Sequence, residues 1–322
     1  MSTTTWTTIL GGAGFLGSHL AELLVGRGER VRIFDRPNAD RRNLVAVADR
    51  IEFLGGDFLN ESDLEHAVDG SSILYHLVST TIPATSNENP VYDVESNLVP
   101  TLNLLDFAAR SGVDRVVFVS SGGTVYGRPE RLPVPETHPT RPLVSYGVVK
   151  RTIEHYLRLY RHHRGLSSCV VRLSNPFGPR QDPRGAQGAA SVFLAKAFRG
   201  EPISIWGDGS VVRDYIYVTD AVAGLAAAGV YRGSDTVFNI GSGEGVSLSR
   251  LVETISRVCG RPLDVRHLPA RPFDVPENVL DIGRARRELG WAPGVAMEEG
   301  LRRTWAWLEK TGGGSHPPGD AR

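Results

Sequence analysis

The chain has 322 residues, a formal net charge of zero, 41% hydrophobic and 22% charged residues. That length suits two lobes around a sizeable core, and the balanced charge gives no electrostatic reason for a nucleic-acid or anionic-membrane partner. No apolar run reaches the ~18 residues of a membrane helix, the polar start is unlike a secretory leader, and Cys169 and Cys259 have no metal or redox spacing, so a cytoplasmic location is expected.

The first half alternates strand and helix patterns. Thr7–Leu10 is a short apolar strand before a Gly turn, and Phe15–Val25 has helical spacing. Arg30–Phe34 and Ile51–Leu54 read as strands, then Ser62–Val68 as a short helix. Ser72–Leu77 is a fourth strand, Val91–Arg110 a long helix that Pro100 should kink or break, and Val116–Ser120 a fifth strand. Tyr146–Arg164 is another long helix and Ser168–Leu173 a sixth strand. This rhythm predicts an α/β fold with a doubly wound parallel sheet, whose strand carboxyl ends share one edge where ligands bind. Past Asn175 the pattern loosens. Pro176–Gln187 reads as loop, Ala190–Arg199 and Thr219–Ala228 as helices, and Ser204–Trp206 and Val237–Ile240 as strands. The rest mixes helices and short strands, a smaller lobe, before a Gly/Pro-rich tail expected to be disordered from 312 to 322.

Gly11-Gly12-Ala13-Gly14-Phe15-Leu16-Gly17 follows a strand and opens a helix, the context of a dinucleotide-binding loop. Gly11, Gly14 and Gly17 allow a tight turn and close backbone approach, while Phe15 and Leu16 begin the helix whose N-terminus favours a pyrophosphate. Asp35 ends the next strand, where a carboxylate accepts hydrogen bonds from a ribose diol, so NAD is favoured over NADP. Arg36, Arg41 and Arg42 form a basic cluster at the same spot, one that would admit a phosphate. Asp57, followed by Phe58, either meets an adenine amino group or serves as a turn residue.

Lys150 is one of three lysines in the chain and lies four residues after Tyr146. On a helix the two side chains face the same way, and an ammonium there would lower the pKa of the phenol. The alternative is a surface Tyr over a Lys stem.

Taken in order, these motifs resemble the extended short-chain dehydrogenase/reductases, and more narrowly the NAD-dependent nucleotide-sugar epimerase/dehydratase family. Further matches are His76-Leu77, Asn97 with Thr101, Thr124-Val125-Tyr126-Gly127, Arg172-Leu173-Ser174-Asn175-Pro176-Phe177-Gly178-Pro179, Arg213-Asp214-Tyr215, Asn239-Ile240-Gly241, Arg271 with Asp274, and Leu289-Gly290-Trp291. The resemblance implies a Rossmann lobe for NAD, residues 1–174 plus about 214–243, and a nucleotide-sugar lobe, about 175–213 plus 244–311. It implies Leu77 and Asn97 at the cofactor, Asn175, Arg213, Arg271 and Asp274 at the nucleotide diphosphate, and Gln187 lining the nucleotide. It also implies Tyr146 as the base, supported by Lys150, and a homodimer pairing the two long helices.

One position departs from the family. The hydroxyl residue usual two places before Thr124 is Gly122 here, so Thr124 or Ser121 is expected to take its role, with Thr124 preferred. Gly123 and Thr124 also lack the carboxylates of the related dehydratases and decarboxylases, which favours epimerisation at C4 of a nucleotide-activated hexose. Asn278 stands where sugar-restricted members carry a bulky aromatic, leaving room for an N-acetyl group.

Overall fold

A computed structural model describes residues 5–182, 188–234, 236–270 and 275–312. Strand β1 (Trp6–Leu10) leads through the Gly loop into helix α1 (Phe15–Gly26), then β2 (Val31–Asp35), a 3-10 segment (Arg42–Arg50), β3 (Ile51–Gly55), α2 (Glu61–Val68) and β4 (Ser71–His76). A helical run follows as α3 (Pro90–Asp93), a π turn (Val94–Leu98) and α4 (Val99–Arg110). Next come β5 (Arg115–Ser121), α5 (Ser145–Arg164) and β6 (Ser168–Leu173). The second half adds β7 (Asn175–Phe177), α6 (Ala189–Arg199), β8 (Ile203–Trp206), β9 (Val212–Tyr217), α7 (Val218–Val230) and β10 (Val237–Ile240). It closes with β11 (Gly245–Ser247), α8 (Leu248–Cys259), β12 (Val265–Leu268), β13 (Glu277–Asn278), α9 (Gly283–Leu289) and α10 (Met297–Thr311).

Seven strands form one parallel sheet in the order β10-β6-β5-β4-β1-β2-β3. Strand order reverses between β1 and β4, which opens a crevice at their carboxyl ends. Both faces are buried because consecutive strand residues are apolar and alternate sides. Ile9, Ile33, Tyr75 and Val117 pack with Leu20, Leu24 and Leu225 of α1 and α7. Their neighbours Leu10, Phe34, Leu74 and Phe118 pack with Leu64, Leu104 and Ile153 of α2, α4 and α5.

A smaller mixed sheet centres on β9, which pairs in parallel with β7 and β13 and antiparallel with β11. The opening of the stretch expected as loop, Pro176–Phe177, is thus strand: Pro176 needs no ladder donor at the short edge of a three-residue pairing. Strands β8 and β12 make a separate parallel pair. No described helix is long and apolar enough to cross a membrane.

Candidate active site

A cavity of about 470 Å³ opens beyond the carboxyl ends of β1, β5 and β6. It brings together Phe15 and Leu16 at the start of α1, Ser121 at the end of β5, and Thr124, Tyr146, Asn175 and Arg213. These seven were singled out from sequence positions spread over 199 residues, Phe15 to Arg213 inclusive. Gln187, Arg271 and Asp274 lie outside the described residues.

Glycines shape the first wall. Gly11 has φ +81°, and a Cβ on it would stand 3.3 Å from the Val78 backbone nitrogen, so the loop after β1 and the chain after β4 need glycine to approach. A Cβ on Gly17 would stand 2.5 Å from Gly12 Cα, so α1 can seat against the loop only without a side chain there. At its start α1 has Gly14 and no side-chain cap, which leaves the helix end suited to an anion at the cavity. Asp35 lies beside the loop, where Ala13 N donates to its Oδ2 at 3.0 Å.

Of the basic cluster near Asp35, Arg41 lies with its guanidinium carbon 3.6 Å from the Phe53 ring centre, and Arg42 grips the Asp40 carboxylate at 2.9 and 2.6 Å. Both are thereby drawn to partners within the protein. Arg36 is exposed, and its backbone nitrogen donates to Asp35 Oδ1 at 2.9 Å. Asp57 is exposed and accepts from Leu59 N at 2.9 Å, a turn contact, while Phe58 packs on the His76 ring at 5.2 Å. Leu77 N donates to Leu10 O at 3.0 Å. Asn97 is buried and accepts from Thr80 N at 2.9 Å, so it holds the chain that leaves β4.

The second wall carries the titratable pair. Tyr146 lies in the first turn of α5, partly buried, with the Lys150 Nζ 5.4 Å from its ring centre. Lys150 is buried and donates from Nζ to Val119 O at 3.1 Å. Burial pushes the phenol up to about 12, eased by a hydrogen bond with Ser79 and reinforced by the charge of Asp93. Burial lowers Lys150 to about 8, opposed by Asp93. The expected lowering of the phenol is therefore not found in the protein alone: desolvation dominates and raises it.

The start of α5 was not legible as a cap. Val144 occupies the N-cap position and makes no side-chain bond. Instead Ser86 Oγ accepts from Tyr146 N at 3.1 Å and Asn87 Oδ1 from Ser145 N at 2.8 Å. The one sequence signal is an apolar residue where a helix needs an acceptor, which means the cap must come from elsewhere.

Gly122 is absent from the cavity wall. A Cβ on it would lie 2.5 Å from Leu280 Cδ1 and 3.2 Å from Arg172 O, so a hydroxyl residue there would require Leu280 to shift. Asn278 donates its amide to Gly122 O at 3.2 Å and is buried. Thr124 differs: the residue lines the cavity, and its buried Oγ1 has no hydrogen-bond partner among the described residues. Opposite, Asn175 donates to Asp214 O at 2.8 Å, and Arg213 Nη1 donates to Val275 O at 2.7 Å.

Residues 7–241 match the NAD dependent epimerase/dehydratase family. The chain belongs to this family. The UDP-glucose 4-epimerase of Mycolicibacterium smegmatis is 35% identical over 303 residues, covering 92% of this chain and 96% of that protein. The crystal structure of UDP-glucose 4-epimerase with UDP-glucose from Thermotoga maritima superposes with a TM-score of 0.90 at 34% identity, over 95% of this chain and 99% of the other. The Thermus thermophilus UDP-glucose 4-epimerase complex with NAD gives 0.87 at 33% identity, over 94% and 99%. The same fold carries a dTDP-glucose 4,6-dehydratase of Streptomyces venezuelae, with a TM-score of 0.88 at 27% identity over 95% and 98%.

The cofactor of this NAD-dependent epimerase fits the residues present. The uncapped α1 terminus suits the pyrophosphate, Asp35 suits a ribose diol, and the engagement of Arg41 and Arg42 agrees with a nucleotide lacking a 2′-phosphate.

Proposed function

We propose that this chain inverts C4 of a UDP-activated hexose, UDP-glucose/UDP-galactose or the N-acetyl pair, through a transient 4-keto sugar. One observation carries the choice of reaction within the family. The described residues lining the cavity place a phenol and a hydroxyl at its wall and include no carboxylate. Dehydration needs acid and base groups beyond the oxidation itself, whereas epimerisation needs one base that removes a proton and returns it.

Tyr146 takes the proton from the sugar O4 and later gives it back. Thr124, with its unpartnered Oγ1, holds the same oxygen, and Ser121 lies beside it on the wall. Lys150 supplies positive charge one helical turn away from the phenol. When bound, NAD supplies the hydride acceptor and donor at C4 and a positive charge near the phenol. Arg213 and Asn175 bind the diphosphate, joined by Arg271 through its sequence position, while Gln187 and Asp274 are assigned by theirs to the rest of the nucleotide. The diphosphate stays anchored while the keto sugar turns over within the cavity.

A panel of UDP-, GDP- and dTDP-sugars read by NMR tests the reading. UDP-hexoses should exchange C4 epimers with no lasting absorbance from NADH. Tyr146→Phe should lower kcat about 10²–10⁴-fold. A 6-deoxy-4-keto product would identify a dehydratase instead. The N-acetyl pair rests on the sequence position of Asn278, which is buried and does not line the cavity, and undetectable turnover of UDP-GlcNAc and UDP-GalNAc would remove that part.

A further inference from the structure

We propose that Asp93 is a positioning residue for the Tyr146–Lys150 pair: its buried carboxylate tethers the first turn of α5 and is the counter-charge of Lys150. The inference rests on the catalytic reading above and deepens it.

Asp93 ends α3 and is fully buried. Its Oδ1 accepts from Thr81 Oγ1 at 2.7 Å and Asn97 Nδ2 at 3.1 Å, and its Oδ2 accepts from Ser145 Oγ at 2.7 Å. These donors are all neutral. Lys150 is only 5% exposed, and its ammonium donates to a neutral carbonyl. A carboxylate and an ammonium removed from water call for compensation, and here both bear on the opening turns of one helix. Ser145, which grips Asp93, is the residue before Tyr146. Ser86 and Asn87, between β4 and α3, accept from the first backbone N–H groups of α5, and Asp93 at the end of α3 adds a tie to the Ser145 side chain.

The other groups around the pair leave Asp93 as its source of negative charge among the described residues. His76 on β4 is brought down to about 3 by burial and by Lys150, so it is neutral. Ser79 contributes a hydrogen bond to the phenol and no charge. Farther along α5, Glu154 is neutralised by Arg172 at 2.7 Å, and Arg151 also bonds it at 2.8 Å. The acid holds the proton on Lys150 against burial and also holds the proton on Tyr146. Its charge thus acts on both groups in the same sense, favouring the protonated form of each.

Asp93→Asn keeps the shape of the site and removes the charge. In the NAD-bound full chain, both limbs of the kcat/KM pH profile with UDP-glucose should move to lower pH, by about one unit. Ser145→Ala, which cuts the tether and keeps the charge, should lower kcat with the limbs unmoved. Limbs of Asp93→Asn that superimpose on those of the unmodified protein overturn the proposal, as does an equal movement in Ser145→Ala. Thermal melts of the cofactor-free Asp93→Asn, Lys150→Met and double variants test the charge coupling without activity. The double variant should lose less stability than the two single losses added. Additive losses, or a double variant that fails to fold, overturn the coupling. If Tyr146→Phe keeps full turnover, the catalytic reading fails, and the melts still decide whether Asp93 and Lys150 are coupled.

Discussion

At Gly122 a packed neighbour crowds the position where a side chain would stand. Leu280, fully buried, fills the space a side chain there would need, and Arg172 O closes the other side. The missing hydroxyl was legible in the sequence; its cause was not, because Leu280 is 158 positions away. Thr124 was one of two expected replacements, and the structure distinguishes it by a buried Oγ1 without a partner among the described residues. A buried hydroxyl left unbonded costs about 1–3 kcal/mol, which a ligand oxygen would recover. Thr124→Val should therefore lower kcat by about tenfold or more while Thr124→Ser keeps most of it, as steady-state kinetics can show. Equal rates in Thr124→Val and the unmodified protein would move the role to Ser121.

At the scale of elements, helix α5 carries Tyr146 and Lys150 and owes its position to its neighbours. Periodicity showed that Tyr146–Arg164 is helical, and Val149, Ile153 and Leu157 form its buried stripe. How closely it approaches the Thr124 segment depends on Gly147. A Cβ there would lie 3.0 Å from Thr124 O and 2.9 Å from Pro142 Cβ. Gly147→Ala should cost about 1–3 kcal/mol by overpacking and lower kcat more than it raises KM, since it parts Tyr146 from Thr124. A thermal melt and a Michaelis series check both effects. Pro100 makes the complementary point. The expected break is local: helical backbone runs from Pro90 to Arg110, and a π turn at Val94–Leu98 immediately precedes the first turn of α4, where Pro100 lies. A proline lacks the N–H for the preceding turn, and widening that turn accommodates it without ending the helix.

At the scale of the whole molecule, buried ionisable groups make stability depend on pH. His76 is fully buried between Phe58 and Phe118, bonds Thr101 Oγ1 at 2.9 Å, and stays neutral down to about 3. In the unfolded chain it takes up a proton below about 6.5. Its folded pKa is depressed, so its contribution is present above about 6.5 and is lost as pH falls toward 3. Glu154 acts in the same direction at lower pH: hydrogen bonds and charge from Arg172, with help from Ser120, outweigh burial and keep it below the usual carboxylate range. The melting temperature should fall between pH 7 and pH 5, and His76→Gln should flatten that fall. An unchanged slope in the variant would assign the loss to other groups.

The sequence alone determined the alternation of strands and helices, the glycine loop, the acid that follows it, and the Tyr146–Lys150 spacing. These are local: backbone sterics, helical and strand periods and short-range motifs act within a few residues. Tertiary structure decided what depends on contacts across the chain. It brought Thr124 to the cavity and closed the space at Gly122, capped α5 from Ser86 and Asn87, and placed the Asp93 carboxylate at its first turn. It also set the direction of the pKa shifts, because desolvation is a property of packing, and at Tyr146 burial raises the phenol although the sequence placed an ammonium one helical turn away.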